Sequence, residues 1–342
     1  MASTPFEVGQ ALICDLPFRF DTYSGCSHKC AYCFVTKKNS QKNNLVEAIS
    51  SAQTLKKLLS GQYSNFNFYK NFTIHWGGLS DPFQPIEKQL RRSYECLKVF
   101  ADTQHSFVVS TKGKLIAEPE YLELLKQCNC AVQISMLCSE YDRIETGAPT
   151  YEERLEMLRK VSPCVKRTLV RLQPYVMNFK RQIIANFPRI KDAGAYGVIV
   201  EAIKYFKKRV GTVKVGGDYI YPLDTLRNDI KELKEEAHKV GLKFFVGENR
   251  LRTLGDDLCC CGVADLEGFK VNKYNINHLL NRDVCPECDD VLKLQGSGVA
   301  VIAYHQEAGL SRKYRGISFR EAVDMELKNN HQHFLTVFGK KA

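Results

Sequence analysis

The sequence predicts an α/β protein built as a partial (β/α)6-type barrel, with a C-terminal extension that contains cysteines. Three observations predict it. Short runs of β-forming residues alternate with helical patterns six or seven times between residues 18 and 247. Glycine and polar residues gather where those runs end. The alternation then fails at about Gly255. Strands alternating with helices imply parallel strands joined by right-handed crossovers, and six or seven such units favour a curved sheet over a flat one. We place the barrel over residues 1–254 and the extension over 255–342.

Taken in order, Ala11, Leu12, Ile13, Leu16 and Phe18 open the chain, and alternation through Arg19, Phe20, Asp21 and Tyr23 reads as a first strand. Leu45, Val46, Ile49, Leu55, Leu58 and Leu59 recur at helical spacing up to a capping Gly61, which predicts one helix from about residue 44. The run 72–76 is a strand that stops at Gly77 and Gly78, and a helix follows from Ile86 to Phe100. Strands at 106–110 and 131–135 come next, each trailed by a helix. The second of these helices starts at Thr150 with Glu153 three residues on, the capping-box pattern. Strands at 167–172, 197–201 and 243–247 and helices at 180–193 and 223–240 complete the barrel. Beyond Gly255 the sequence offers Gly296-Ser-Gly298, an apolar run at 299–303 and a final helix at 318–327.

Composition narrows the class. With 44% hydrophobic and 25% charged residues in 342, the chain is long enough for one large domain with an appendage. No run approaches about 18 apolar residues, and the N-terminus lacks the basic start and apolar core of a signal peptide, so we expect a cytoplasmic protein without a membrane partner. Fourteen Cys without a secretory signal point to metal ligands or reduced core thiols rather than disulfides. Cys128, Cys130 and Cys138 lie on or beside a strand and read as packing. A net charge of +11 suits a polyanion, and nucleic acid is the commonest one; Lys204, Lys207, Lys208, Arg209 and Lys214 supply much of it locally, as do Arg312, Lys313 and Arg315.

The chemistry lies in the stretch from Gly25 to Thr36, which brings together Cys26, Cys30 and Cys33. Three soft thiolates on one loop can hold three irons of a [4Fe–4S] cluster and leave the fourth open to a ligand. A zinc knuckle is the plainer reading, but zinc loops pair a C-x2-4-C with a second pair downstream. By the barrel rule, the loop shares the C-terminal ends of the strands with residues 77–81, Thr111 and Lys112, Ser135, Arg171 to Gln173, and Glu201. His28 inside the loop would touch cofactor or solvent. His75 and Trp76 would line the cavity or the core, and Asp81 and Glu201 are acid, base or ion-pair candidates.

The three-then-two spacing, with Tyr32 before the last Cys and Phe34 after it, resembles the signature of the radical S-adenosylmethionine (SAM) enzymes. The order of further motifs is similar to the spore photoproduct lyase group, with its DNA-repair-photolyase-like members, over roughly residues 15–250. These motifs are Ser80-Asp81-Pro82-Phe83-Gln84-Pro85-Ile86-Glu87, Ser110-Thr111-Lys112, Ser135, Thr150 to Leu155, and Arg171-Leu172-Gln173-Pro174. The resemblance implies a [4Fe–4S] cluster on Cys26, Cys30 and Cys33, SAM on its open iron, and reductive cleavage to a 5′-deoxyadenosyl radical that takes a substrate hydrogen. It implies a reductant such as flavodoxin or ferredoxin. It assigns Gly77, Gly78 and Ser80 to the methionine end of SAM, Lys112 to its carboxylate, Tyr32 to its adenine and Ser135 to its ribose, with Asp81 and Arg171 as further cofactor contacts.

The chain also departs from the lyase. That group returns a hydrogen through a cysteine near the Ser-Asp segment and a tyrosine after the third cluster cysteine; residues 77–82 hold no Cys, and Phe34 has no O–H. Repair of thymine dimers is therefore not the expectation. Cys259, Cys260 and Cys261 with Cys285 and Cys288 suggest a second site, a [4Fe–4S] cluster or Zn, for which we take Cys259, Cys261, Cys285 and Cys288. The functional expectation is a radical SAM enzyme, lyase or oxidoreductase, acting on a nucleic acid or nucleotide. A peptide or small-molecule substrate with an auxiliary cluster is the alternative, and a zinc-stabilised nucleic-acid-binding protein the lesser one. Oligomeric state is not legible in the sequence.

Overall fold

β-branched and aromatic side chains on a pleated backbone point alternately to two faces, so each short run can bury one face against helices and the other inside a barrel. The computed structural model, which describes residues 5–8, 14–35, 46–63, 71–215, 218–273 and 278, shows this arrangement. In chain order the elements are β1 (Phe6–Val8), β2 (Phe18–Phe20), β3 (Tyr23–Ser24), β4 (Glu47–Ala48), α1 (Ala52–Leu59), β5 (Ile74–Trp76), α2 (Glu87–Leu90), α3 (Arg92–Thr103), β6 (Phe107–Thr111) and α4 (Pro119–Leu125). They continue with β7 (Cys130–Ser135), α5 (Tyr151–Val161), β8 (Arg167–Tyr175), α6 (Lys180–Ala185), α7 (Phe187–Asp192), β9 (Gly197–Ala202), β10 (Val213–Val215), β11 (Asp218–Ile220), α8 (Leu223–Lys239) and β12 (Lys243–Val246).

The main sheet has the order β1-β2-β5-β6-β7-β8-β9-β12. β1 lies antiparallel on the edge and the other seven strands are parallel, one more than a six-unit barrel needs. Phe107, Val109, Val132, Val170, Val198 and Val200 face a large core that also holds Leu55, Leu97, Phe100, Leu155 and Leu233 of the helices. The intervening residues Val108, Ala131, Leu169, Ile199 and Phe245 face the other way. There they meet Leu16, Cys259, Cys261, Val263 and Phe269 in a second apolar cluster, so the first part of the predicted extension lines the face opposite the helices.

Several predicted helices are corrected. The pattern from residue 44 is not one helix: Glu47 and Ala48 pair with Ser24 and Tyr23, and the helix begins only after Ser51, whose side chain accepts from the Thr54 amide at 3.2 Å. The helix expected over 86–100 breaks at Arg91, which adopts a left-handed φ of 50°. Buried Glu87 provides the reason. Its carboxylate accepts from the amides of Ser93 and Tyr94 at 2.9 and 2.8 Å and so caps a new helix start. The helix expected over 180–193 breaks at Asn186, with Pro188 in the first turn of α7. The 299–303 run and the 318–327 helix lie outside the described residues.

Candidate functional site

The loop of Cys26, Cys30 and Cys33 leaves the C-terminal side of β2 by way of β3. Neighbouring loops hold it from both sides. The Ser27 amide donates to Gln84 Oε1 at 2.9 Å, and Gln84 Nε2 donates to the Gly25 carbonyl at 3.2 Å. On the other side the Ala31 amide donates to the Ile144 carbonyl at 2.8 Å and the Gly147 amide to the His28 carbonyl at 2.9 Å. The approach is close enough that a Cβ on Gly147 would lie 2.3 Å from the Ser27 carbonyl oxygen, which only glycine permits. None of the three is joined in a disulfide, and all are partly exposed. Burial and nearby Asp81 push the Cys26 thiol up to about 12, and burial raises Cys30 despite the Lys112 ammonium beside it.

His28 is buried, where the sequence suggested contact with cofactor or solvent. Its Nε2 lies 3.0 Å from Asp81 Oδ2 and its Nδ1 lies 3.0 Å from the Gly147 carbonyl. Asp81 also accepts from the Lys112 amide at 2.6 Å, the Thr111 hydroxyl at 2.7 Å, the Phe83 amide at 2.9 Å and the Gly113 amide at 3.2 Å. Burial alone would raise this carboxyl, but the His28 ring and these hydrogen bonds pull it down to about 2. Asp81 is therefore a carboxylate at neutral pH and no general acid, and both its oxygens are engaged by this chain. It binds three loops together.

The turn after β5 is fixed by Asp21, which the sequence reading took only as part of the first strand. Asp21 Oδ1 accepts from the amides of Leu79 and Ser80 at 3.2 and 3.1 Å and from the Ser80 hydroxyl at 3.5 Å. Because peptides are trans and planar, the carbonyls of Gly78 and Leu79 then point away from Asp21. Gly77 has φ +84°, and a Cβ there would fall 2.6 Å from the Ser110 carbonyl oxygen. Gly78 admits the stem of Arg19, whose Cδ would be 2.6 Å from such a Cβ.

Lys112, at the end of β6, keeps its ammonium 3.8 Å from Glu145 Oε1 and 5.8 Å from the centre of the Tyr32 ring. The Tyr32 hydroxyl donates to the same Glu145 oxygen. Ser135, at the end of β7, offers its carbonyl to Arg154 Nη1 at 2.9 Å and stands in register with Arg171. Arg171 itself belongs to a polar belt across the face opposite the helices. His75 Nε2 lies 3.0 Å from Ser110 Oγ, Ser110 Oγ donates to Gln133 Oε1 at 3.0 Å, and Arg171 Nη1 donates to the same oxygen at 2.8 Å. Arg171 also donates to Gln173, whose Nε2 donates to Glu201 Oε2 at 2.9 Å, and Lys204 donates to Glu201 Oε1 at 3.3 Å. His75 is on this belt while Trp76 is fully buried on the helix side, as strand alternation requires of neighbours. Burial, together with the guanidiniums of Arg171 and Arg19, pushes the His75 ring down to about 3, so it is neutral.

A cavity of about 340 Å³ opens beside the loop, lined by Tyr32, Ile203, Lys204, Tyr205, Phe206, Lys207 and Arg209. It joins a loop aromatic to the basic stretch. On the face opposite the helices Cys259 and Cys261 are buried among apolar side chains, and Cys261 offers its carbonyl to Gln133 Nε2 at 3.3 Å. Cys14 and Arg252 lie near Cys260. Cys285 and Cys288 lie outside the described residues. Among the described residues no three His, Cys, Asp or Glu side chains converge as one ion demands. A cubane spreads its thiolates over three separate irons, so three accessible thiols on one tightly held loop fit that group as a donor set.

No protein-family model and no curated protein sequence matches the chain. Solved structures do. A spore photoproduct lyase with bound AdoMet and dinucleoside spore photoproduct has a TM-score of 0.54 at 14% identity, over 68% of this chain and 76% of that one. SuiB of Streptococcus suis bound to S-adenosylmethionine has a TM-score of 0.51 at 14% identity, over 70% of this chain and 52% of SuiB, so the match spans about half of SuiB. At this identity the likeness establishes the fold alone: the chain shares the partial α/β barrel of these two structures. No described helix is long and apolar enough to cross a membrane.

Proposed function

We propose that this chain is a radical SAM enzyme acting on a nucleic acid or nucleotide. One observation carries the reading. Three thiols outside any disulfide stand on one loop at the C-terminal end of a parallel sheet, beside Lys112, Tyr32 and the turn after β5. Cys26, Cys30 and Cys33 would hold three irons of a [4Fe–4S] cluster, and the open iron would take SAM. When bound, this pair supplies a one-electron reductive route to an organic radical that removes a hydrogen atom from substrate.

The chain's own residues then bind and orient. The carbonyls of Gly78 and Leu79, turned away from Asp21, offer acceptors to an ammonium, and Lys112 offers a point charge to a carboxylate. Tyr32 and Ser135 would make the adenine and ribose contacts. Asp81 orients the three loops that it binds. Phe34 is exposed and has no O–H, so hydrogen return through a tyrosine at that position is closed to this chain. Support for the substrate class comes from the cavity, where three aromatic rings lie beside Lys204, Lys207 and Arg209, a combination that serves stacked bases and their phosphates.

Anaerobic purification and reconstitution test the reading. We expect brown protein with about four irons per bound cluster, 5′-deoxyadenosine on reduction with dithionite, and deuterium transfer into it from a labelled oligonucleotide. Colourless protein that contains zinc and forms no 5′-deoxyadenosine would overturn it. SAM cleavage without oligonucleotide binding at low salt would keep the chemistry and move the substrate to a peptide or small molecule.

A further inference from the structure

Glu145 is buried beneath the cysteine loop, and nothing in its sequence context marks it. Three parts of the chain meet on its carboxylate. Arg154, fully buried in the first turn of α5, lies 2.6 Å from Oε2 through Nη1. The Tyr32 hydroxyl donates to Oε1, which ties in the cysteine loop between Cys30 and Cys33. Lys112 Nζ, from the end of β6, stands 3.8 Å from the same oxygen. Arg154 is in turn held by the Ser135 carbonyl at 2.9 Å, the Thr150 carbonyl at 3.4 Å and Asp142 Oδ1 at 3.2 Å.

The strengths of these contacts are unequal. A buried carboxylate needs a partner, and Arg154 provides one that its own bonds hold in place. The Lys112 contact is long, so Lys112 can turn to another anion while Glu145 keeps Arg154 and Tyr32. We infer that Glu145 is a positioning residue that locks the cysteine loop to α5 through Tyr32 and Arg154 and parks Lys112 beside the loop, ready for release to an incoming carboxylate. The inference rests on the proposed function for the identity of that carboxylate, the one carried by SAM. The lock itself is a property of the chain without cofactor.

Glu145→Gln, Glu145→Asp and Tyr32→Phe, compared with the wild type, test it in two forms of the protein. In the cofactor-free protein we expect faster amide hydrogen exchange over residues 26–35 in Glu145→Gln and Tyr32→Phe, with α8 unchanged as an internal control. In the reconstituted protein we expect Glu145→Gln to lose iron to a chelator about 10–100-fold more readily, the range for outer-shell partners of a metal site. Its cluster should also be reduced at a less negative potential, because a negative charge near the loop is gone. Glu145→Asp should recover part of both. Equal loop exchange in all proteins, or an unchanged potential in Glu145→Gln that still holds iron, would overturn the inference. If Glu145→Gln does not fold, Tyr32→Phe decides alone, and wild-type exchange and iron retention there would overturn it. A wild-type protein that takes up no iron would sink the proposed function, leaving the exchange result to judge the lock.

Discussion

A buried neutral histidine that feels two guanidiniums makes pH the sharpest probe at the scale of single residues. His75 is held neutral down to about pH 3 by burial and by Arg171 and Arg19, whereas the unfolded imidazole protonates near its ordinary value of 6.5. The unfolded chain therefore binds the extra proton between those values. Stability from this site is present above pH 6.5 and is lost as pH falls toward 3. In urea unfolding at pH 7.5, 6 and 5, His75→Asn should lose less stability on acidification than the wild type; parallel curves would refute this assignment. Gly147→Ala should cost about 1–3 kcal/mol, because its Cβ meets backbone rather than a movable side chain, and should loosen the cysteine loop in hydrogen exchange. Cys26, Cys30 and Cys33 stood out in sequence because thiol type and spacing announce ligand chemistry, whereas Lys112 was singled out only by the family resemblance. Asp21, Gln133 and Glu145 did not stand out, since a lone Asp, Gln or Glu has no spacing signal and acquires its role from partners 58, 128 and 113 residues away in Leu79, Cys261 and Tyr32.

Among the elements, α5 shows how a local signal can serve the site. The capping box at Thr150 and Glu153 forms as the sequence predicts, with the Glu153 amide donating to Thr150 Oγ1 at 3.3 Å and the Thr150 amide donating to Glu153 Oε2 at 2.8 Å. The cap fixes the turn that carries Arg154. Thr150→Ala should cost about 1 kcal/mol in chemical denaturation, and it should raise exchange at Ala31 and Gly147, whose amides bridge the loop of Ile144 and the loop of His28. A cost in stability with no effect on those amides would uncouple the helix start from the site. The seven parallel strands were found to within three residues because β-branched runs bounded by glycine leave few alternatives, while the short antiparallel strands β1, β4, β10 and β11 were not read. The helices at 44, 86 and 180 were misread, because apolar spacing continued across a strand pairing, a buried capping carboxylate and a proline in a helix's first turn.

For the whole molecule, the two faces of one sheet divide the work. The helix side holds the large core, and the opposite side is polar along its belt and sealed by the segment from Cys259 to Phe269. Phe245→Ala should open a void under that seal and cost about 3–5 kcal/mol in thermal or urea unfolding. A cost below about 1 kcal/mol would show that the segment does not pack there. The cavity beside Tyr32 leads to a charge test of the proposed substrate. Oligonucleotide affinity should fall with salt, and Lys207→Gln and Arg209→Gln should each reduce the salt slope by about one. An unaltered slope in both would remove the basic stretch from phosphate contact.

By itself the sequence determined the parallel α/β barrel, the order of its seven parallel strands, and a three-thiol loop placed at a strand end, since periodicity and ligand spacing are local properties of a chain. Only the tertiary structure decided which side chains answer one another. It made His28 and Asp81 a buried tie, separated His75 from Trp76 by strand alternation, packed Cys259 and Cys261 among apolar side chains, and set Glu145 between Arg154, Tyr32 and Lys112. The reason is physical. A carboxylate, an imidazole or a thiol acts through its desolvation and its nearest charges, and both are fixed by neighbours that folding brings from distant parts of the chain.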